Sequence, residues 1–157
     1  LASLRLLPQE QSRPTPQMLL RQFMNSAYGF TIEYPLIWDN MRFDTETQWF
    51  VSLSEGTTEA LYIYVVTEHA GTLESVIDTV IGRGRMQITS EPQPAQIAGI
   101  EGLEFDVTYK YNGIWVGRCI AVLHRGVGLI FSLELMSTPE DAERLFDLFA
   151  NTVTLLP

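Results

Sequence analysis

The chain has a single cysteine, Cys119, and only two histidines, His69 and His124, among its 157 residues. One thiol excludes an internal disulfide and any zinc site built from several cysteines. Neither histidine has a His, Cys or carboxylate at a metal-ligand spacing such as i+4 on a helix, so both are expected as surface or turn residues. Cations are scarce as well. Lys110 is the one lysine, and ten basic residues face 19 acidic ones for a net charge of −9. That balance argues against a nucleic-acid backbone or an anionic membrane surface as partner, because both need clustered cations. Its simplest consequence is solubility. No apolar run reaches the roughly 18 residues of a membrane span.

What is present is a long enough, apolar enough chain for one core. Of its residues 46% are hydrophobic, and the expectation is an N-terminal extension over 1–25 followed by one domain over 26–157. Within the extension, Pro8 to Pro16 has linker composition, and Thr15-Pro16 followed by Gln17 to Met24 predicts a short helix. Phe30, Ile32 and Tyr34 alternate with Thr31 and Glu33 and predict a strand closed by Pro35. Trp49 to Leu53 and Leu61 to Thr67 predict two more, with a turn at Gly56-Thr57-Thr58-Glu59. The period then changes. Leu73, Val76, Ile77, Val80 and Ile81 follow helical spacing, capped by Thr72 and ended by Gly82 or Gly84. Residues 89–99 read as an excursion with a short strand at Ala95 to Ala98. Thr138-Pro139-Glu140-Asp141 opens a final helix with an apolar stripe of Ala142, Leu145, Phe146 and Phe149.

Glu101 to Met136 is the strongest block and predicts three consecutive antiparallel strands. Asn112-Gly113 suits a two-residue type I′ turn, which would set Val107 opposite Arg118 and Phe105 opposite Ile120. A second tight turn near Arg125-Gly126 would set Val122 against Leu129 and Ile120 against Phe131. Trp115, Gly117, Cys119 and Ala121 then share the other face with Ile130, and small residues there let a helix come close. The expected fold class is α+β, an antiparallel sheet of five to seven strands sandwiched with helices, on one face or on both.

Tyr28-Gly29-Phe30-Thr31-Ile32-Glu33-Tyr34-Pro35 followed by Trp38 resembles the opening of the PsbP-like families, extrinsic photosystem II subunits and small bacterial exported lipoproteins, which share a fold with the Ran-binding protein Mog. The resemblance covers about residues 26–157. It implies an antiparallel sheet sandwiched by helices, non-catalytic and used for docking or small-molecule binding. Gly29-Phe30, Tyr34-Pro35 and Trp38 carry over as core and turn positions. The basic docking features of photosystem subunits are not recognisable here. Because the chain begins at Leu1 rather than Met, an upstream piece is expected, with a signal peptide or anchor on it and an extracytoplasmic, secreted or membrane-anchored location.

No nucleophile–base pair and no cofactor motif emerges, so neither an enzyme nor a cofactor is expected. Cys119, mid-strand among small residues, is expected as an inert thiol. Gly82-Arg83-Gly84-Arg85 follows a helix rather than opening one, which makes it helix-end punctuation and not a phosphate loop. Glu104 and Asp106 share a strand face. They are either a solvated pair with Lys110 nearby or, as a weaker alternative, a divalent-metal or acid–base pair. Arg118 projects, in the register above, between Val107 and Leu133 on an apolar face, where an unpaired cation is too costly. Either it pairs with an internal carboxylate such as Glu33, Asp78 or Asp147, or it recognises an anion at the base of a pocket with Tyr109 as a second polar contact. Two functional readings follow. One is an interaction or assembly module for a protein partner, with residues 1–25 available for a homo-oligomer; the other is a binder of a small apolar or acidic ligand between sheet and helix.

Overall fold

The computed structural model describes residues 19–35, 40–42, 49–55, 59–68, 70–84, 86–109 and 115–157. Within them lie β1 (Leu20–Asn25), β2 (Phe30–Pro35), β3 (Asn40–Arg42), β4 (Trp49–Glu55), β5 (Glu59–Val66), α1 (Leu73–Gly82), β6 (Met86–Ile88), β7 (Gln93–Ile97), β8 (Ile100–Tyr109), β9 (Val116–His124), β10 (Val127–Leu135), α2 (Pro139–Ala150) and β11 (Thr154–Leu155). A small sheet has the order β1-β2-β11, and the main sheet runs β3-β4-β5-β10-β9-β8-β6, with β7 also on β8. All pairings are antiparallel. The Thr72 side chain caps α1 and that of Thr138 caps α2, with Pro139 in the first turn. Gly84 takes the left-handed conformation just past α1, so this segment does punctuate a helix end.

The N-terminal helix is a correction. Leu20 to Met24 lie in a strand, with Phe23 opposite Ile32 and Met24 opposite Thr31. A helix this short is unstable alone, whereas pairing with β2 satisfies its backbone and turns Phe23 toward the core. Residues 1–18, the Asn112-Gly113 turn, Trp38, His69 and Lys110 lie outside the described residues.

The β8–β9 register is a second correction. The ladder pairs Thr108 with Val116, Asp106 with Arg118, Glu104 with Ile120 and Phe105 with Cys119, one residue away from the pairing that a two-residue turn predicts. The β9–β10 register is as expected, with Val122 opposite Leu129 and Ile120 opposite Phe131. Its turn has positive φ at both Arg125 (53°) and Gly126 (76°), the signature of type I′. The reason for the shift is burial. In the predicted register Glu104 and Asp106 would lie under the apolar face of α1 while Arg118 sat among aliphatic residues. Burying unpaired charges costs several kcal/mol each, which outweighs a local preference for one turn length.

With the observed register the main sheet has two apolar faces. Phe105, Val107, Tyr109, Cys119, Ala121, Ile130, Tyr64 and Val66 pack with Val76, Ile77 and Val80 of α1. On the opposite face Ile120, Val122, Leu129, Phe131, Leu133, Ile63 and Leu61 pack with Phe146 of α2 and with Phe30, Ile32 and Tyr34 of the small sheet. The helices thus lie on opposite faces. The Phe30 ring meets Phe131 edge-on at 5.7 Å between centroids, which fastens the small sheet to the large one.

Close approach of α1 depends on Gly128, where an added Cβ would lie 2.3 Å from Val76 Cγ2. Val76 is β-branched and stiff, so it cannot swing aside. Gly128→Ala is therefore expected to destabilise the domain by about 2 kcal/mol, measured by urea unfolding. Adding Val76→Ala should recover part of that loss.

Candidate functional site

Arg118 sits at the centre of the most highly charged cluster among the described residues. Its Nε donates to Glu104 Oε1, and its Nη1 lies 3.6 Å from both Asp106 Oδ1 and Glu143 Oε2. The strand period puts Glu104 and Asp106 two residues apart on β8, directly beside Arg118 on β9, and the first half of α2 brings Glu143 over them. Arg118 and Glu104 are each about four-fifths buried at the side chain, whereas Glu143 is more than half exposed. Burial works against the cation, but the hydrogen bond and charge of Glu104, supported by Asp106 and Glu143, outweigh it and raise the Arg118 pKa above the ordinary arginine value. The arginine is thus permanently charged and ties two strands to a helix. Its partners are these three carboxylates, not the Glu33, Asp78 or Asp147 expected from the sequence. The cation beside Glu104 and Asp106 in the described structure is Arg118.

Tyr109 lies on the opposite face, under α1. Its Oη shares a hydrogen bond of 2.9 Å with Ser132 Oγ, which also accepts from Cys119 Sγ at 3.2 Å. Tyr64 Oη donates to Glu134 Oε1 at 3.3 Å in the same layer. Burial, then the charge of Glu134, pushes the Tyr109 phenol well above its usual range, and burial likewise raises the Cys119 thiol. Arg118 and Tyr109 therefore do not converge on one pocket. Ser132 and Glu134 escaped the sequence reading, although the two-residue period places both on the Ile130 face, between apolar neighbours.

His124 closes β9, and its Nε2 is 3.1 Å from the Gly29 carbonyl oxygen. Next to it, Arg125 donates to the carbonyl oxygens of Ser26 and Pro157, so the β9–β10 turn is latched to the small sheet. Among the described residues no group of three or more His, Cys, Asp or Glu side chains is arranged to hold a metal ion. No described helix is long and apolar enough to cross a membrane. A groove of about 420 Å³ opens between the start of α1 and the β7–β8 hairpin, with Leu73, Pro94, Ala95 and Leu103 as its apolar lining and Gln96 and Glu101 as its polar groups. Neither Arg118 nor Tyr109 lines it.

Two outcomes test this arrangement. Arg118→Met is expected to cost about 1–3 kcal/mol, between the values for exposed and fully buried pairs. A double-mutant cycle with Glu104→Gln should give a coupling of about 1 kcal/mol, larger than that with Glu143→Gln, by chemical denaturation. Cys119 should react with a thiol reagent only as fast as the native state opens, so that its labelling rate rises with denaturant in step with global unfolding.

No model of a known protein family matches the chain, and no curated protein sequence is recognisably similar to it. Solved structures are. Cyanobacterial PsbP (CyanoP) from Synechocystis sp. PCC 6803 superposes with a TM-score of 0.62 at 16% identity, over 94% of this chain and 99% of that one. The Saccharomyces cerevisiae Ran-binding protein Mog1p gives 0.54 at 12% identity, over 88% and 96%. LpqN of Mycobacterium tuberculosis, involved in cell envelope biogenesis, gives 0.53 at 10% identity, over 90% and 92%. With its antiparallel sheets and flanking helices, the chain has the α+β PsbP/Mog-like fold.

Proposed function

We propose that the chain is a non-catalytic interaction module that holds a protein partner, secreted or anchored at the cell surface. The observation that carries this reading is the exposed apolar surface of β1. Leu20 and Met24 of β1 are 47% and 57% exposed, and Leu19 just before it is 69% exposed; β1 is the outer strand of the small sheet in the described structure. Apolar side chains grouped on an outer strand mark contact surfaces in soluble proteins. The interior polar groups support the same reading. Arg118 is consumed by its three carboxylates, and Tyr109 and Cys119 are buried with raised pKa values. Among proteins of this fold, Mog1p binds Ran and LpqN takes part in envelope biogenesis, which supports a binding role and an extracytoplasmic setting.

A second reading, a small-molecule site between sheet and helix, draws its support from the groove beside α1 rather than from Arg118 or Tyr109. The partner reading is tested with a photo-crosslinking residue placed at Met24, or at exposed Asp78 of α1 as control, in cells of the source organism. A discrete heteromeric product from position 24 alone is expected, lost when Leu20→Asp is added. A product of twice the chain mass would replace the partner by a second copy of this chain. Equal or no crosslinking from the two positions would remove the β1 surface from the account.

A further inference from the structure

We infer that the groove between α1 and the β7–β8 hairpin is a binding site for a small cation with an apolar body, an aryl- or alkylamine, and not for the acidic ligand that the Arg118 reading implied. The inference is independent of the protein-partner reading above. It rests on which charges border the cavity and on how the start of α1 is already satisfied.

A cavity of about 420 Å³ falls within the range of small-molecule sites, about 300–1,000 Å³. Leu73 opens α1, Leu103 comes from β8 and Pro94, opposite it, from β7, so a helix and two strands supply its apolar walls. The polar groups come as a cross-strand pair, Gln96 of β7 facing Glu101 of β8. The turn that joins these strands has Ala98 at φ 51° and Gly99 at φ 77°. That tight turn fixes the pair in register, so the carboxylate is held on a rigid hairpin.

The sign of the preferred ligand follows from electrostatics. Glu101 is the one ionisable group in the lining, and no cationic side chain is among it. A helix N-terminus beside a cavity ordinarily favours an anion, but here that tendency is countered. Ser75 N donates to Thr72 Oγ1 at 3.1 Å, Thr72 N donates to Ser75 Oγ at 3.3 Å, and Val76 N donates to the Thr72 carbonyl at 3.1 Å. Glu74 in the first turn supplies the negative charge that complements the helix dipole. An incoming carboxylate would therefore meet the like charge of Glu101 in the groove, with several of the nearby backbone donors already taken. An ammonium group can instead pair with Glu101 and donate to the Gln96 side-chain carbonyl, while its aryl or alkyl body covers Leu73 and Leu103.

The test uses three probes of one shape and different charge: phenethylamine, 2-phenylethanol and 3-phenylpropionate. Each is titrated into the 15N-labelled chain while amide signals are followed. Phenethylamine is expected to shift Leu73, Ala95, Gln96 and Leu103 saturably, with a Kd on the order of 1 mM. Glu101→Gln should weaken it about two- to threefold, as befits an exposed ion pair. Glu101 is exposed, so Glu101→Lys should fold normally and reverse the preference, with 3-phenylpropionate now binding more tightly than the amine. Equal binding of all three probes to the unmodified chain would overturn the inference. So would the absence of saturable shifts at the groove, or an unchanged preference in Glu101→Lys.

Discussion

The pairing of Asp106 with Arg118 across β8 and β9 is the constraint on which the rest of the architecture depends. Side chains alternate along a strand, so one register decides the destination of every residue on β8. In the observed one, Phe105, Val107 and Tyr109 go to α1, and Glu104 and Asp106 go to Arg118 and the flank of α2. Each fully buried large apolar side chain contributes about 1.5–3 kcal/mol, and each carboxylate kept beside a guanidinium avoids a desolvation cost of similar or larger size. Both effects favour the same register, so competing pairings lose on both faces at once.

From that register follow the two cores and the way they are joined. The α1 side is close-packed, with Gly128 admitting Val76, yet it also holds the hydroxyls of Tyr64, Tyr109 and Ser132, the Cys119 thiol and the Glu134 carboxylate. These groups bond to one another, as polar groups in a dry interior must. The other side is a three-part junction of main sheet, small sheet and α2. Phe30 against Phe131 supplies its apolar contact, and His124 and Arg125 fasten its edge. Arg125 takes a positive φ that costs a residue with a Cβ about 1–2 kcal/mol, and the position lets its guanidinium reach the Ser26 and Pro157 carbonyls.

Much of this fold was legible because period and caps are local signals. The helical spacing from Leu73 to Ile81, the Thr72 and Thr138 caps, and the tight turn at Arg125-Gly126 all rest on residues within a few positions of one another. Two expectations failed where a distant partner decides. Gln17 to Met24 looks helical locally, but Leu20–Asn25 becomes a strand because β2 offers backbone partners. Asn112-Gly113 favours a two-residue turn, yet the register follows the charges and the core. That Arg118 on an apolar face must be satisfied, by a carboxylate, by carbonyls or by a ligand anion, is legible from the sequence, but which group does so is not, since it changes with a one-residue slip. The carboxylates beside it, Glu104 and Asp106, are visible in the sequence as a pair that shares a strand face. The groove was not legible at all, because α1 and the β7–β8 hairpin meet only in three dimensions.

The resulting scaffold is rigid in its charged and polar interior and carries its distinctive surfaces at the margins, on β1 and beside the start of α1. Its central claim is the β8–β9 register, and the most direct measurement is the pattern of cross-strand Hα–Hα nuclear Overhauser contacts, which are strong for the non-hydrogen-bonded pairs of an antiparallel ladder. The account predicts contacts drawn from the set Glu104/Ile120, Phe105/Cys119, Asp106/Arg118, Val107/Gly117 and Thr108/Val116. Contacts of Val107 with Arg118 and of Phe105 with Ile120 would contradict it, returning Glu104 and Asp106 to the face beneath α1.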